Sequence, residues 1–408
     1  MREPVIVSGV RTAVGRAPRG AFREVPPDAL GMAAVREALA RARGLDPAEV
    51  DDVVLGCAYP EGEQGLNVAR QVALGAGLPA SVSAMTVNRF CASGLQALAA
   101  ACQAVATGAC DVVVAGGIES MSAVPMTGFH FAPNPELAVA MPELYMGMGL
   151  TGEEVARRAG VSREDQDAWS LRSHARAAAA QDAGRFRDEI VPVEATRTVV
   201  EDGRPRVERV LVSADEGVRR DTDAARLASL RPAFAAAGTV TAGNTSQMSD
   251  GAAALVVMDA SRAAALGLEP LGRLASYATA GVPPEVMGLG PIEAVPKALA
   301  RAGLTLDDIG VVELNEAFAA QVIACVRALG LDEGRTNPNG GAIALGHPLG
   351  ATGAKLAVSA LGELARRGER YALVTMCVGG GQGAAGVIEW LGGRQPVSAP
   401  RSSPPRGR

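Results

Sequence analysis

Residues 38–54 read ALARARGLDPAEVDDVV, and residues 298–312 read ALARAGLTLDDIGVV. Each run passes from an Ala-rich helical pattern through a Gly-Leu turn and an acidic pair into a short apolar segment, the signature of a helix returning to a buried strand. A second echo follows in each half. Ser93-Gly94 leads an Ala-rich stretch to Gly108 and then to VVVAGG. Thr352-Gly353 leads another to Gly368 and then to ALVTMCVGGG. Two matches in the same order point to an internal repeat, two similar α/β halves related by a pseudo-twofold axis.

Working outward, buried strands are predicted at 5–10, 53–56, 111–115, 253–258, 311–314 and 372–377, and helices at 29–43, 93–106, 292–301 and 354–367. The expected fold class is α/β, with two halves in a layered arrangement. The first half spans 1–120 and resumes at 240–269, and the second spans 270–391. Between the parts of the first half, residues 121–239 carry most of the charge runs and Pro-rich turns, with weak periodicity over 191–215. They read as an inserted loop domain covering a face of the first half. The Pro-, Ser- and Arg-rich stretch 392–408 reads as a disordered tail.

Composition narrows the function. The 408 residues are 48% hydrophobic and 20% charged, enough for a large core, with a net charge of −5 that argues against nucleic acid as a partner. Six cysteines form no Cys-x-x-Cys pair and three histidines form no two-His motif, so neither zinc nor a disulfide framework is expected. The uncharged run 91–110 contains Ser93, Gln96, Gln103 and Thr107, which favours a buried helix over a membrane span. The apolar run 5–10 is too short for a signal h-region. A soluble, reduced, cytoplasmic protein is the expectation.

Three residues stand out chemically. Cys91, in NRFCASGLQALAA, sits where an extended segment enters a helix, and the amides and dipole of a helix N-terminus favour a thiolate. His347, in NPNGGAIALGHPLGATGAK, lies among five glycines between Gly340 and Gly353, where backbone can approach closely, a setting for a general base. Cys377 ends a strand and opens CVGGGQGAAG. That stretch contains a formal G-x-G-x-x-G, but VIEWL follows it as a strand rather than a phosphate-binding helix, so the dinucleotide reading fails. Asn315 and Glu316, in ELNEAFAAQ, suit either helix capping or a side-chain amide beside the pocket. Cys57, Cys102, Cys110 and Cys325 read as packing thiols, and His174 as a solvated helix residue.

NRFCASG, NEAF, GHPLGATG and CVGGGQG together resemble the motifs of the thiolase family, in order and spacing, over the chain to about Leu391. The resemblance implies that Cys91 is the acyl-carrying nucleophile, His347 the base that activates it, and Cys377 a proton donor and acceptor. It implies one oxyanion hole from His347 with a water on Asn315, and another from the amides of Cys91 and Gly379. Coenzyme A, as substrate, would lie along the loop domain near Arg219, Phe234 and Ser246, with Met148 lining the acyl pocket. No metal or other cofactor is implied, and a homodimer or homotetramer is. Gly147 stands where some acetoacetyl-specific relatives have histidine, which loosens four-carbon specificity. Two other readings remain open: a decarboxylating ketosynthase, whose Cys-His-His set Cys377 does not match, and a non-catalytic acyl-CoA-binding protein, which would have lost a motif.

Overall fold

A computed structural model describes residues 2–201 and 204–393. Apart from two-residue strands at Gly15–Arg16 and Ile190–Val191, its strands are β1 (Pro4–Thr12), β2 (Asp52–Gly56), β3 (Ser83–Val87), β4 (Val112–Ser120), β5 (Val193–Glu201), β6 (Arg204–Val212), β7 (Ser249–Asp259), β8 (Gly272–Gly281), β9 (Ile309–Leu314), β10 (Tyr371–Val378) and β11 (Gln382–Trp390). The helices that matter for the site are α1 (Pro27–Arg41), α2 (Ser93–Thr107), α3 (Met148–Ala159), α4 (Arg163–Asp182), α5 (Gly290–Ala302), α6 (Ala319–Leu329) and α7 (Leu349–Arg367).

The repeat in the sequence is a repeat in topology. The first half runs β1-β7-β4-β2-β3 and the second β8-β11-β10-β9, with Thr336 bridging β9 in parallel where β3 pairs with β2. Strands β1 and β8 meet antiparallel at Ile6 and Gly272, which joins the two halves. The two stretches that announce the repeat fold alike: α1, a 3-10 turn at Pro47–Glu49 and β2 in one half, and α5, a turn at Leu306–Asp308 and β9 in the other.

Most strands are covered on both faces, which explains why their sequences are continuous apolar runs rather than alternations. Along β4, Val112 and Val114 join a core with α1, whereas Val113 and Ala115 join a second core with α2 and α7. In β10, Val374 and Met376 face that same central core and Leu373 faces a third, shared with α5 and α6. The layers are therefore helix, sheet, helix pair, sheet, helix.

The central pair, α2 and α7, is packed through glycine. A Cβ on Gly94 would lie 2.7 Å from the Ala354 amide nitrogen, and one on Gly353 would strike the backbone nitrogen of Leu95. Only hydrogen at these positions lets the two backbones approach so closely. The 18-residue stretch Phe90–Thr107 is apolar enough by composition to cross a membrane, yet it lies between the two sheets.

The inserted region departs from expectation in where it packs. Helix α4 lies against α6, and Trp169 and Ser173 bond to Glu316, so the insertion covers the second half as well as the first. It is anchored to the first half by buried Arg11 of β1, which donates to Glu189 at 2.7 Å and forks onto both oxygens of Asp215 at 2.7 and 3.0 Å. The weakly periodic stretch 191–215 contains the antiparallel pair β5 and β6. Its alternation is faint because β6 is exposed over most of its length and little of β5 is buried. Residues 394–408 of the expected tail lie outside the described residues.

Gly94→Ala and Gly353→Ala are each expected to destabilise the fold by roughly 1–3 kcal/mol, the usual cost of overpacking. Gly147→Ala, where a Cβ meets nothing within 4 Å, is the control. Equal melting temperatures for all three would refute the close-packing argument.

Candidate active site

Cys91 sits in a 3-10 turn, Phe90–Ala92, that feeds directly into α2. The turn is tense: Phe90 has φ +43°, a left-handed conformation costly for a side-chain-bearing residue. Its amide donates to Asn88 Oδ1 at 2.8 Å. Its carbonyl accepts from Ser93 Oγ at 2.7 Å, and that hydroxyl in turn accepts from the Arg89 amide. No side chain caps α2; the 3-10 turn runs straight into it, with the Ala92 amide on the Arg89 carbonyl and the Ser93 amide on the Phe90 carbonyl. Cys91 packs with Ala58, Met121 and Leu349. Burial pushes its thiol up to about 12, against the pull of the amides of Gly379 and Cys91 itself. These are the two amides that the motif resemblance singles out.

His347 occupies the corresponding turn of the second half, just ahead of α7. Its ring is buried, and its tautomer follows from its partners. Thr352 Oγ1 donates to the Pro348 carbonyl at 2.8 Å, so the 2.7 Å contact with His347 Nδ1 is Nδ1–H donating to the hydroxyl. That leaves Nε2 with a lone pair, which accepts from Asn315 Nδ2 at 3.2 Å. Burial, and then the Lys355 cation, lower the imidazole to about 3, so it is neutral. A neutral imidazole whose Nε2 carries a lone pair rather than a proton is the form that takes a proton, once the Asn315 amide yields that lone pair.

Cys377, at the end of β10, is fully buried with Met287, Phe318, Ala317 and Val240, and Met148 packs against the same cluster. Burial, then the neighbouring Cys91 and Cys325, hold its thiol well above the ordinary range. Gly379 follows in a run of glycines. Gly380 and Gly381 have φ +76° and +82°, and β11 begins at Gln382, which is why no phosphate-binding helix forms there. The nearest atoms to a Cβ on Gly379 would be those of Phe90 and the Met148 sulfur, at 3.6 and 3.7 Å.

Asn315 does not cap a helix, since α6 begins at Ala319 with Phe318 before it. Its amide nitrogen reaches His347, and its Oδ1 is buried with no partner among the described residues, leaving an acceptor for a ligand or water. Cys91, His347, Cys377, Asn315 and the Gly379 amide thus converge from both halves. This set can carry an acyl group on sulfur, move protons through an imidazole and a second thiol, and offer amides to an oxyanion.

The other singled-out residues line the approach. Phe234 is 44% exposed, packs edge-on to Phe318 with ring centroids 6.5 Å apart, and covers Gly149 in the first turn of α3. The Ser246 amide donates to the Ala317 carbonyl at 3.0 Å, placing Ser246 beside the Cys377 cluster. Arg219 lies further out, in the insertion. Its guanidinium is lowered by partial burial and by the nearby Arg16 cation, a second arginine that sequence reasoning passed over because it is remote in the chain.

His174 is not solvated. It is 3% exposed and accepts from the Arg219 amide through Nδ1 at 3.1 Å. The arginines and alanines around it on α4 suggested a water-facing side, but that side meets the 215–219 segment. Thr352 and Glu119 were also missed. Glu119 accepts from the amides of Ala58 and Gly350, both at 2.8 Å, directly behind the Cys91 contacts. Thr352 lies within GHPLGATG, so its place in that motif was the available signal, whereas Glu119 lies in none of the quoted motifs.

Burial lowers His174 to about 4, so both histidines refuse protons that the unfolded chain accepts below about pH 6.5. Their contribution to stability is full above that pH. It is lost as pH falls toward 4 for His174 and 3 for His347, by at most about 1.4 kcal/mol per pH unit for each ring. His174→Gln keeps an acceptor without a titrating ring and is expected to flatten the fall of the urea midpoint between pH 6.5 and 4. An unchanged slope would contradict the burial argument.

Comparison with known proteins agrees with this architecture. Residues 4–261 match the family model for the thiolase N-terminal domain, and residues 268–390 that for the thiolase C-terminal domain. The chain is 57% identical over 390 residues to the 3-ketoacyl-CoA thiolase of Bacillus subtilis, covering 95% of this chain and 100% of that protein. It is 47% identical over 391 residues to the peroxisomal 3-ketoacyl-CoA thiolase B of Mus musculus, covering 95% and 91%. The crystal structure of the Bacillus anthracis acetyl-CoA acetyltransferase superposes with a TM-score of 0.86 at 40% identity, covering 96% of this chain and 99% of that one. With both family domains matched nearly end to end around a doubled α/β fold, the chain belongs to the thiolase family of acyltransferases.

Proposed function

We propose that this thiolase cleaves 3-ketoacyl-CoA with coenzyme A, and by reversal condenses acetyl-CoA units, through an acyl group on Cys91. The observation that carries the reading is the convergence of Cys91, His347, Cys377 and Asn315, with the Asn315 amide bonded to His347 Nε2. His347 Nε2 takes the Cys91 proton, and the thiolate attacks the 3-keto carbonyl. The bond between C2 and C3 breaks, the acyl group stays on Cys91 as a thioester, and the acetyl-CoA enolate takes a proton from the Cys377 thiol. Incoming coenzyme A gives its thiol proton to the Cys377 thiolate and attacks the acyl-Cys91 thioester. Acyl-CoA leaves, and His347 returns its proton to Cys91.

The residue environments suit these roles. A thiol held high by burial becomes, once ionised, a strong base, as proton removal from an acetyl α-carbon demands. Each addition places negative charge on oxygen, where the amides of Cys91 and Gly379, or His347 with an Asn315-bound water, stabilise it without reorganisation. Coenzyme A lies along the insertion, with Arg16 and Arg219 toward its phosphates and Phe234 and Ser246 along the pantetheine arm. No other cofactor takes part. The open space around Gly147, next to Met148, favours chains longer than four carbons, in keeping with the 3-ketoacyl-CoA names of the relatives.

The same names support a place in fatty-acid β-oxidation, and a reducing, cytoplasmic setting suits a site built on two free thiols. A homodimer or homotetramer is supported by the sheet edge β3, where Met85 is 42% exposed, and by Leu66, 94% exposed beside it in the fold's periphery.

Thiolysis of acetoacetyl-CoA and of a medium-chain 3-ketoacyl-CoA tests the reading. The expected outcome is activity on both, greater on the longer substrate, lost in Cys91→Ala and reduced about 10²–10⁴-fold in His347→Ala, the range for a missing acid–base group. Failure of the wild type on every chain length, with coenzyme A thioesters still bound, would leave the acyl-CoA-binding alternative.

A further inference from the structure

Glu316 stands next to Asn315 and has no part in the chemistry above. Its side chain is buried, and four donors converge on its carboxylate. Oε1 accepts from Trp169 Nε1 at 2.9 Å and Asn337 Nδ2 at 3.0 Å. Oε2 accepts from Ser173 Oγ at 2.6 Å and the Ile343 amide at 3.3 Å. Two of these donors come from α4 of the insertion and two from the segment leading to His347, Asn337 before and Ile343 within its short helix at Ala342–Leu345. Asn337 itself is held in a left-handed conformation, φ +47°, and its side chain bonds both the amide and the carbonyl of Leu314 at 2.9 and 2.8 Å, in the manner of a neighbouring strand.

Consecutive residues in extended backbone point to opposite sides. As Leu314, Asn315 and Glu316 leave β9, the side chain of Glu316 is gripped by the insertion while that of Asn315 faces His347. Helix α4 reaches further: His174, adjacent to Ser173, holds the Arg219 amide. One rigid helix therefore touches both the segment proposed for the far end of coenzyme A and the residue that sets the direction of Asn315.

We infer that Glu316 is a positioning residue, through which docking of α4 by Trp169 and Ser173 aims the Asn315 amide at His347. The inference rests on the role proposed for Asn315. Charge-assisted bonds to a buried carboxylate fix direction better than neutral ones, and small errors in the placement of a stabilising group are costly in the transition state. The binding of substrate does not depend on that aim, so the effect falls on turnover.

Glu316→Gln sets donors against donors at one oxygen and risks misfolding, so the test uses the donors instead. Trp169→Phe removes the indole N–H together with part of the ring, a packing change for which the Asn315→Ala background is the control, and Ser173→Ala removes one hydroxyl. Thiolysis of acetoacetyl-CoA is measured for the double variant Trp169→Phe/Ser173→Ala, for Asn315→Ala and for all three changes combined. The double variant is expected to lose about tenfold in kcat with KM unchanged within about twofold. The same pair of changes is expected to cost less than about twofold on the Asn315→Ala background, because their effect passes through that amide. An unchanged kcat in the double variant overturns the inference, as does an equal loss with and without Asn315. If Asn315→Ala itself has wild-type kcat, the role of Asn315 fails, and the inference with it.

Discussion

Everything in this molecule depends on the contact between α2 and α7. Two helix N-termini, one from each half, cross with glycine against backbone at Gly94 and Gly353, between two sheets. The closeness of that crossing is what brings the turn bearing Cys91 and the turn bearing His347 into one site. A bulkier crossing would hold the two helices further apart and so separate the thiol from the imidazole. Close packing here is therefore part of the chemistry, not only of stability.

The two halves share topology yet have diverged in the environment of their equivalent turns. In the first, the strained Phe90 and the turn into α2 present a thiol to the amides of Gly379 and Cys91. In the second, Thr352 and Asn315 fix a neutral imidazole by both ring nitrogens, and Glu119 holds the Gly350 amide at the start of α7. Burial pushes the cysteine and histidine in opposite directions, the thiol up and the imidazole down, so the resting site carries both groups uncharged. In the proposed reaction, charge develops only as a proton passes between them.

The insertion binds the halves together through buried polar contacts. Arg11 joins β1 to Glu189 and Asp215, and Glu316 joins the end of β9 to Trp169 and Ser173. Burying such groups is costly unless each is matched, and here a fork meets a carboxylate and four donors meet another. Matched networks of this kind tolerate few alternative arrangements, which suits the role proposed for this region in placing one end of a long substrate.

The repeat, the predicted strands and helices, and the motifs around Cys91, His347 and Cys377 were legible in the chain because each is local. A run of Val and Ala between turns, or a cysteine at a helix start, states its setting within a dozen residues. The strands β3 and β8 and the pair β5–β6 were not legible, since exposed or mixed faces blur the period that marks a strand. Nor was the burial of His174, whose covering segment lies more than forty residues away. The partners of Asn315 and Glu316 come from α4 and from residues 337–347, contacts that no spacing encodes. By itself, then, the sequence determined which groups could do the chemistry and that the fold is doubled. Only the tertiary structure decided the tautomer of His347, the opposed shifts of thiol and imidazole, and what aims Asn315, because burial and hydrogen-bond partners arise from long-range packing.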